Sequence, residues 1–395
     1  MKLKLKKSIL EIEDEVINLR RKIHQNPELG FEVQETANLI SNYLKKLGIE
    51  VTEKVGKNGV VGLLKGNNAD KTLAIRADMD AIPIQEETNL EFKSQNDGIM
   101  HACGHDGHVA IALGTAKILS QIKEKINGNI KFIFQPAEEK VTGAKAMIED
   151  NVLENPKVDA IMGLHIWPDL KSGKIGIKEG PIMAAVDEFH IEVIGKGGHG
   201  AIPNKAVDPI VIASEIVGSL QKIVSREIDP LKAGVITVGT FNGGSSFNVI
   251  PDRVKMSGTV RTFDQEVRSF INQRIEKILK SSVEGNRANY DLNYKFAHPS
   301  TNNDKKLTNQ FIKKLKEVFE TENIITNFES SMGGEDFSLY QQEVPGTYMF
   351  LGTKNNKKNK TYPIHHPKYD IDESILKYGV EVFTNLAIDF FNCNN

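Results

Sequence analysis

Apolar residues Ile12, Val16, Leu19 and Ile23 recur every three or four positions, which predicts an amphipathic helix over residues 9–25. Leu39, Ile40, Tyr43, Leu44 and Leu47 repeat the pattern, and Gly48 closes this second helix. The spacing then changes. Short continuous apolar runs at Val60–Leu64, Thr72–Ile75, Ile130–Phe134, Ala160–Leu164 and Thr347–Leu351 alternate with helical stretches at 107–121, 142–150 and 306–321. Unbroken runs suit strands buried on both faces. Their alternation with helices predicts an α/β domain with a central sheet flanked by helices.

The middle of the chain follows a different rhythm. Between 186 and 297 the pattern reads strand (Phe189–Ile194), helix (Pro209–Val224), strand (Val235–Phe241), strand (Arg253–Arg261), helix (Glu266–Val283), strand (Tyr290–Phe296). That βαββαβ order is ferredoxin-like and forms a unit of its own. The expectation is an inserted domain at 186–297 within a larger domain made of 1–185 and 298–395. The lysine- and asparagine-rich stretch 354–360 reads as a solvated loop.

Composition narrows the partners. At 395 residues the chain outgrows a single core, which stops near ~250–300 residues. The net charge of −2 gives no reason to expect nucleic acid or an anionic membrane as a partner. The basic start MKLKLKKSIL is not followed by the apolar run of a signal peptide, and no stretch approaches the ~18 apolar residues of a membrane span. Two cysteines, Cys103 and Cys393, make no disulfide framework, so a reduced, cytoplasmic protein is expected.

The polar residues stand at the ends of the apolar runs. Thr72–Ile75 leads to Asp78 and Asp80, Ile130–Phe134 to Glu138 and Glu139, and Ala160–Leu164 to His165; after a loop, Thr347–Leu351 leads to His365 and His366. Ligands of open α/β sheets bind beyond the carboxyl ends of the strands. Each residue alone has a bland explanation: solvated surface for Glu138–Glu139, a satisfied core histidine for His165, a turn for Asp78 and Asp80. Together they describe one site. The stretch MHACGHDGH (100–108) adds Cys103 and His105. Cys103, His105, Glu139, His165 and His365 suit Zn²⁺ or a similar first-row ion. Five ligands exceed the three of a mononuclear catalytic zinc, which predicts two ions with the Cys103 sulfur as bridge. Asp80 and Asp106 are expected to steady the ligand histidines, while His101 and His108 support the loop. His24, His190 and His298 are read as structural. Glu138, beside the ligand Glu139, is the expected general acid/base for a metal-activated water.

These residues carry a resemblance. RADMDAIP (76–83), MHACGHDGH, FQPAEE (134–139), GGHGAIP (197–203) and GGEDF (333–337) resemble, in order, the amidohydrolase branch of the dimetal aminoacylase and carboxypeptidase peptidases. That branch includes hippurate hydrolases, auxin-conjugate hydrolases, N-acetyl-diaminopimelate deacetylases and archaeal thermostable carboxypeptidases. The likeness runs from RRKIHQNPELGFE (20–32) to IHHPKYDIDE (364–373). It implies a metal-bearing α/β domain with a smaller lid that also makes dimers or larger homo-oligomers. It selects His365 over His366 as ligand, makes His199 a donor to the scissile carbonyl, often across a dimer interface, and makes Asn248 and Arg261 anchors for the substrate carboxylate. Glu335 takes a supporting role.

The expected activity is hydrolysis of the amide of an N-acyl amino acid or N-blocked peptide, with a carboxypeptidase acting on longer peptides as the alternative. A cysteine hydrolase using Cys103 would leave Glu139, His165 and His365 unexplained. A non-catalytic metal protein would have no use for Glu138. Zinc suits the donors; nickel, cobalt and manganese remain open.

Overall fold

The computed structural model describes residues 2–67 and 70–392, so Cys393 lies outside the described residues. The chain forms two compact units. The first joins Met1–Ile182, Asn302–Glu329 and Asp336–Asn395; the second joins Met183–Thr301 and Ser330–Glu335. The residues at 186 and 297 fall inside the second unit, which also takes up six residues from much later in the chain.

Unit one is built on a mixed sheet of eight strands among the described residues. Its order is Glu50–Val55, Gly59–Lys65, Asn129–Gln135, Thr72–Asp78, Ala160–Lys171, Gly346–Lys354, Ile175–Gly176 and Ile324–Ile325. The four central strands from Asn129–Gln135 to Gly346–Lys354 are mutually parallel. Every residue of Thr72–Asp78 and Asn129–Gln135 is buried, which is why these strands read as unbroken apolar runs. Lys131 is the polar residue inside the run Ile130–Phe134. Its ammonium donates to the carbonyls of Val152, Glu154 and Pro156 at 2.7–2.9 Å, which satisfies it within the fold.

Helix His105–Ser120 is apolar on all sides and almost wholly buried. Gly107 lets it approach the sheet, because a Cβ there would stand 2.4 Å from Ile166. The first amphipathic segment differs from expectation. It begins earlier and breaks into Lys2–Glu11 and Glu13–Gln25, with Ile12 in a turn. The break lets Leu5, Ile9 and Ile12 join Val16 and Ile23 in one core. No helix among the described residues is long and apolar enough to cross a membrane.

Unit two carries a four-stranded antiparallel sheet in the order Gly234–Gly243, Arg253–Thr262, Ala185–Ile194, Asn289–His298. Helices Pro209–Lys222 and Gln265–Gly285 complete the βαββαβ order. Alternate residues of Ala185–Ile194 are buried, and Phe189, Ile191 and Val193 pack with Ile212, Ile216, Ile271 and Ile275. Inside this core Arg268 grips Asp187 with contacts of 2.5–3.1 Å, and the Tyr294 hydroxyl donates to the same carboxylate at 2.8 Å.

Candidate metal centre

Gly104 has φ +94°, a left-handed conformation that a side chain would resist, and it turns the chain from Cys103 into the helix begun by His105. Cys103 and His105 thereby face one point. The donor atoms of Cys103, His105 and His165 lie within 4.8 Å of one another, as do those of Cys103, Glu139 and His365. The sulfur is common to both triads. A third group, His105, Glu138 and Glu139, sets Glu138 beside them. All of these residues belong to unit one.

Each donor is aimed by a neighbour. His105 Nδ1 donates to the Asp80 carbonyl at 2.8 Å, which leaves Nε2 buried and without a hydrogen-bond partner. His165 Nδ1 donates to the Ile166 carbonyl at 2.8 Å, and its Nε2 lies 3.3 Å from the Cys103 sulfur. His165 sits within Ala160–Lys171, opposite Phe350, so it projects from the sheet interior and not from beyond a strand end. Ala137 has φ +54° and swings Glu138 and Glu139 off their strand; their amides donate to the Asp80 carboxylate at 3.0 and 3.3 Å.

The double histidine divides plainly. His365, at φ +63°, donates its amide to Ala102 at 2.7 Å and brings Nε2 to 3.3 Å from Glu139. His366 instead stacks on Tyr362, and its Nδ1 accepts from the Lys368 amide.

The donor set fits divalent metal on two counts. Buried His105 Nε2 is an orphaned atom of the kind that an ion satisfies, and Glu139 Oε1 has only His365 Nε2, 3.3 Å away, opposite it. The electrostatics also call for a cation. Burial lowers the His105 pKa, but Asp78, Asp80 and Glu139 outweigh it and push it up to about 10. Burial, reinforced by Glu139, Glu138 and Asp78, raises the Cys103 thiol well above its ordinary value. A divalent ion would relieve both, since it favours thiolate and neutral imidazole.

The surrounding support was only partly foreseen. His108 is held at both nitrogens: Nδ1 contacts Asp78 at 2.5 Å and Nε2 accepts the Ile166 amide at 2.9 Å. It therefore steadies the strand segment next to His165. Asp78 is gripped in turn by Arg76; burial works against its charge, but Arg76, His105 and His108 hold its pKa well below the usual carboxylate range. The expectation for Asp106 needs correcting. Its Oδ2 takes Arg20 Nε and His24 Nδ1, both at 2.7 Å, and it shows no hydrogen bond to a donor histidine. Asp80 does steady His105, but through its backbone carbonyl.

Arg20 is the residue that the site reading missed. It is fully buried and joins Asp106, beside His105, to Asp370 and Glu373, which follow His365. The i, i+4 spacing of Arg20 and His24 on a helix face with buried Val16 and Ile23 was the available signal.

The residues expected in unit two do not converge. His199 pairs with Val249 in a two-residue ladder and, like Asn248, is exposed. The Gly200 amide donates to the Asn248 carbonyl at 2.8 Å, so these two residues are neighbours. Arg261 is half-buried and pairs with Val186, whereas His199 lies beyond the other end of the same ladder, past the pairing of Arg253 with Ile194. Eight residues of strand separate those ends by about 25 Å. Glu335 is buried and also belongs to unit two.

Similarity to known proteins agrees with this centre. The profile of peptidase family M20/M25/M40 matches residues 74–389. The chain is 44% identical over 393 residues to thermostable carboxypeptidase 2 of Saccharolobus solfataricus, covering 98% of each. It is 42% identical over 375 residues to an N-acetylcysteine deacetylase of Bacillus subtilis, covering 94% of this chain and 96% of that one. A solved Bacillus subtilis structure, described as a dinuclear metal binding peptidase from the M20 family, superposes with a TM-score of 0.85 at 38% identity, covering 97% of this chain and 99% of that one. The chain belongs to peptidase family M20/M25/M40 and is a hydrolase of amide or peptide bonds.

Proposed function

We propose that the protein hydrolyses the amide bond of N-acyl amino acids at two divalent metal ions, zinc by preference. The observation that carries this reading is the pair of donor triads sharing Cys103, with Glu138 alongside. Cys103, His105 and His165 would hold one ion, and Cys103, Glu139 and His365 the other. When bound, the ions supply an acidified water and an electrophile for the scissile carbonyl. Glu138 takes the proton of that water and returns it to the leaving amine. Asp80 fixes the turn that presents Glu138, so the base is held by two backbone hydrogen bonds on its own segment.

The Cys103–His165 contact also resembles a thiol–imidazole dyad, but the charges argue against it. Burial, with carboxylates around it, keeps Cys103 a neutral thiol. Burial, with His108 and His105 nearby, keeps His165 well below its ordinary pKa and makes it a poor base. A free thiol used as a ligand suits a reducing, cytoplasmic setting.

His199, Asn248 and Arg261 bind substrate in this reading, His199 polarising the carbonyl and Arg261 with Asn248 gripping the carboxylate. Arg261, and a His199 that lies past the far end of strands about 25 Å long, cannot both touch one small substrate within a chain. The protein therefore works as a homodimer in which His199 and Asn248 serve the partner's centre. Exposed Phe247, Val249 and Ile202 around His199 support such a contact. The carboxypeptidase reading is favoured by one finding, the 44% identity to thermostable carboxypeptidase 2. Turnover of N-acetyl and N-benzoyl amino acids against unblocked dipeptides, on protein of defined metal content, tests the two. Faster hydrolysis of dipeptides would overturn the amidohydrolase reading.

A further inference from the structure

Beside the donor set, within unit one, lies a cavity of about 430 Å³. Glu139 and His365 form one wall of it, so whatever occupies it is contiguous with the candidate centre. Most of its remaining lining is apolar, made by Leu29, Ala81, Ile82, Pro83 and Ile84. Its volume falls in the range of roughly 300–1,000 Å³ found for small-molecule sites.

The apolar wall is preformed. Ala81 bridges Leu29 and donates its amide to Glu28 at 2.8 Å; Ile82 exchanges two backbone hydrogen bonds of 3.1 Å with Met100. With these backbone groups satisfied locally, the segment offers side chains to the cavity. On another side Gly30, at φ +55°, lets the Lys140 stem lie against the backbone, where a Cβ would be 2.5 Å from Lys140 Cε.

The charged groups at the cavity are committed or of the wrong sign for a cation. The Asp80 carboxylate accepts from the Glu138 and Glu139 amides. Glu139 faces His365, and Lys140 brings a positive charge to the rim. An α-ammonium would leave water here without an uncommitted partner. An apolar group would gain by leaving water, by up to about fourfold in affinity per buried methylene.

We propose that this cavity is the acyl subsite, and that Ile82, Ile84 and Leu29 make it select uncharged apolar acyl groups, aryl or longer alkyl, over acetyl. This rests on the N-acyl amino acid reading of the same centre, and it deepens that reading by naming the acyl class. It also separates blocked substrates from dipeptides, whose ammonium would meet the same walls.

The test has two arms. In the first, kcat/KM is measured on the metal-loaded protein for N-benzoyl and N-acetyl forms of one amino acid. The benzoyl form is expected to be favoured by roughly 10- to 100-fold, and Ile84→Asp to bring that ratio down toward one. Turnover of both with no preference, or a preference that survives Ile84→Asp, overturns the subsite while leaving the N-acyl amino acid reading intact. The second arm needs no turnover. Calorimetric titration of the metal-loaded protein should show benzoate binding at least tenfold tighter than acetate, with the difference lost in Ile84→Asp. Equal binding of the two acids overturns the proposal even if the protein hydrolyses neither substrate, the outcome that would contradict the parent reading.

Discussion

Two sets of polar residues were singled out from the sequence, and they behave differently in the two units. In unit one, donors from distant parts of the chain fall into triads whose atoms lie within 4.8 Å of one another; Cys103, His105 and His165 are buried, Glu139 is half-buried and His365 is exposed. In unit two, His199 and Asn248 are exposed at a short ladder past one end of the four-stranded sheet, and Arg261 is half-buried at the other end. The first set explains itself, because burying unpaired histidine and carboxylate atoms is costly unless something binds them. In the homodimer proposed above, a second copy would complete the second set.

The largest effect should come from breaking the chemistry and leaving the centre in place. Glu138→Ala is expected to lower kcat by about 10³–10⁴-fold with the metal content, read by elemental analysis, close to wild type. Substantial residual turnover would remove Glu138 as the proton carrier.

Next comes the support beneath the centre. Arg20→Met removes the buried guanidinium that joins Asp106 to Asp370, leaving Asp106 with His24 and Asp370 with Lys360, and should cost about 3–5 kcal/mol of stability, read as a lowered denaturation midpoint. An unchanged midpoint would mean that the network is dispensable.

The divergent set is tested by mixing. His199→Ala alone should lose about 10²–10³-fold in kcat. Mixed and re-equilibrated with Glu138→Ala, it should recover activity, since a hybrid dimer has one intact combination of Glu138 and His199. Absence of recovery, with subunit exchange verified, would return His199 to its own chain or to no role.

A smaller effect concerns pH. In the metal-free centre His105 holds its proton up to about pH 10, and the Cys103 thiol is raised as well. Both protons must leave when metal binds, so apparent affinity should rise with pH between 6 and 8 by as much as about 100-fold per unit. Competition with a chelator measures this. A flat profile would mean that neither group is a ligand.

Much of the fold was legible because burial on both faces of the central strands left unbroken apolar runs, and because amphipathic helices around a half-buried sheet marked unit two. The break at Ile12 was not legible, since Ile9, Ile12 and Val16 stay apolar on either side of it. The donor set was visible for a related reason: acids and histidines that follow or interrupt buried apolar runs are costly without a use for them, although His165 proved to lie within its strand. What one sequence hides is second partners. Asp106 looked like support for a ligand histidine because it adjoins His105, yet its carboxylate turns to Arg20 and His24, more than eighty residues away. Likewise, nothing in GGHGAIP or GTVRTF tells that His199 lies in a short ladder of its own, past the end of the four-stranded sheet opposite to Arg261.

The claim on which the rest depends is that two ions share the Cys103 sulfur. Cobalt(II) titrated into metal-free protein tests it through the sulfur-to-cobalt charge-transfer absorption. The account predicts two equivalents bound per chain, absorption that grows through both, and loss of the band in Cys103→Ser. Saturation after one equivalent, or binding of two ions with no sulfur band, would contradict it.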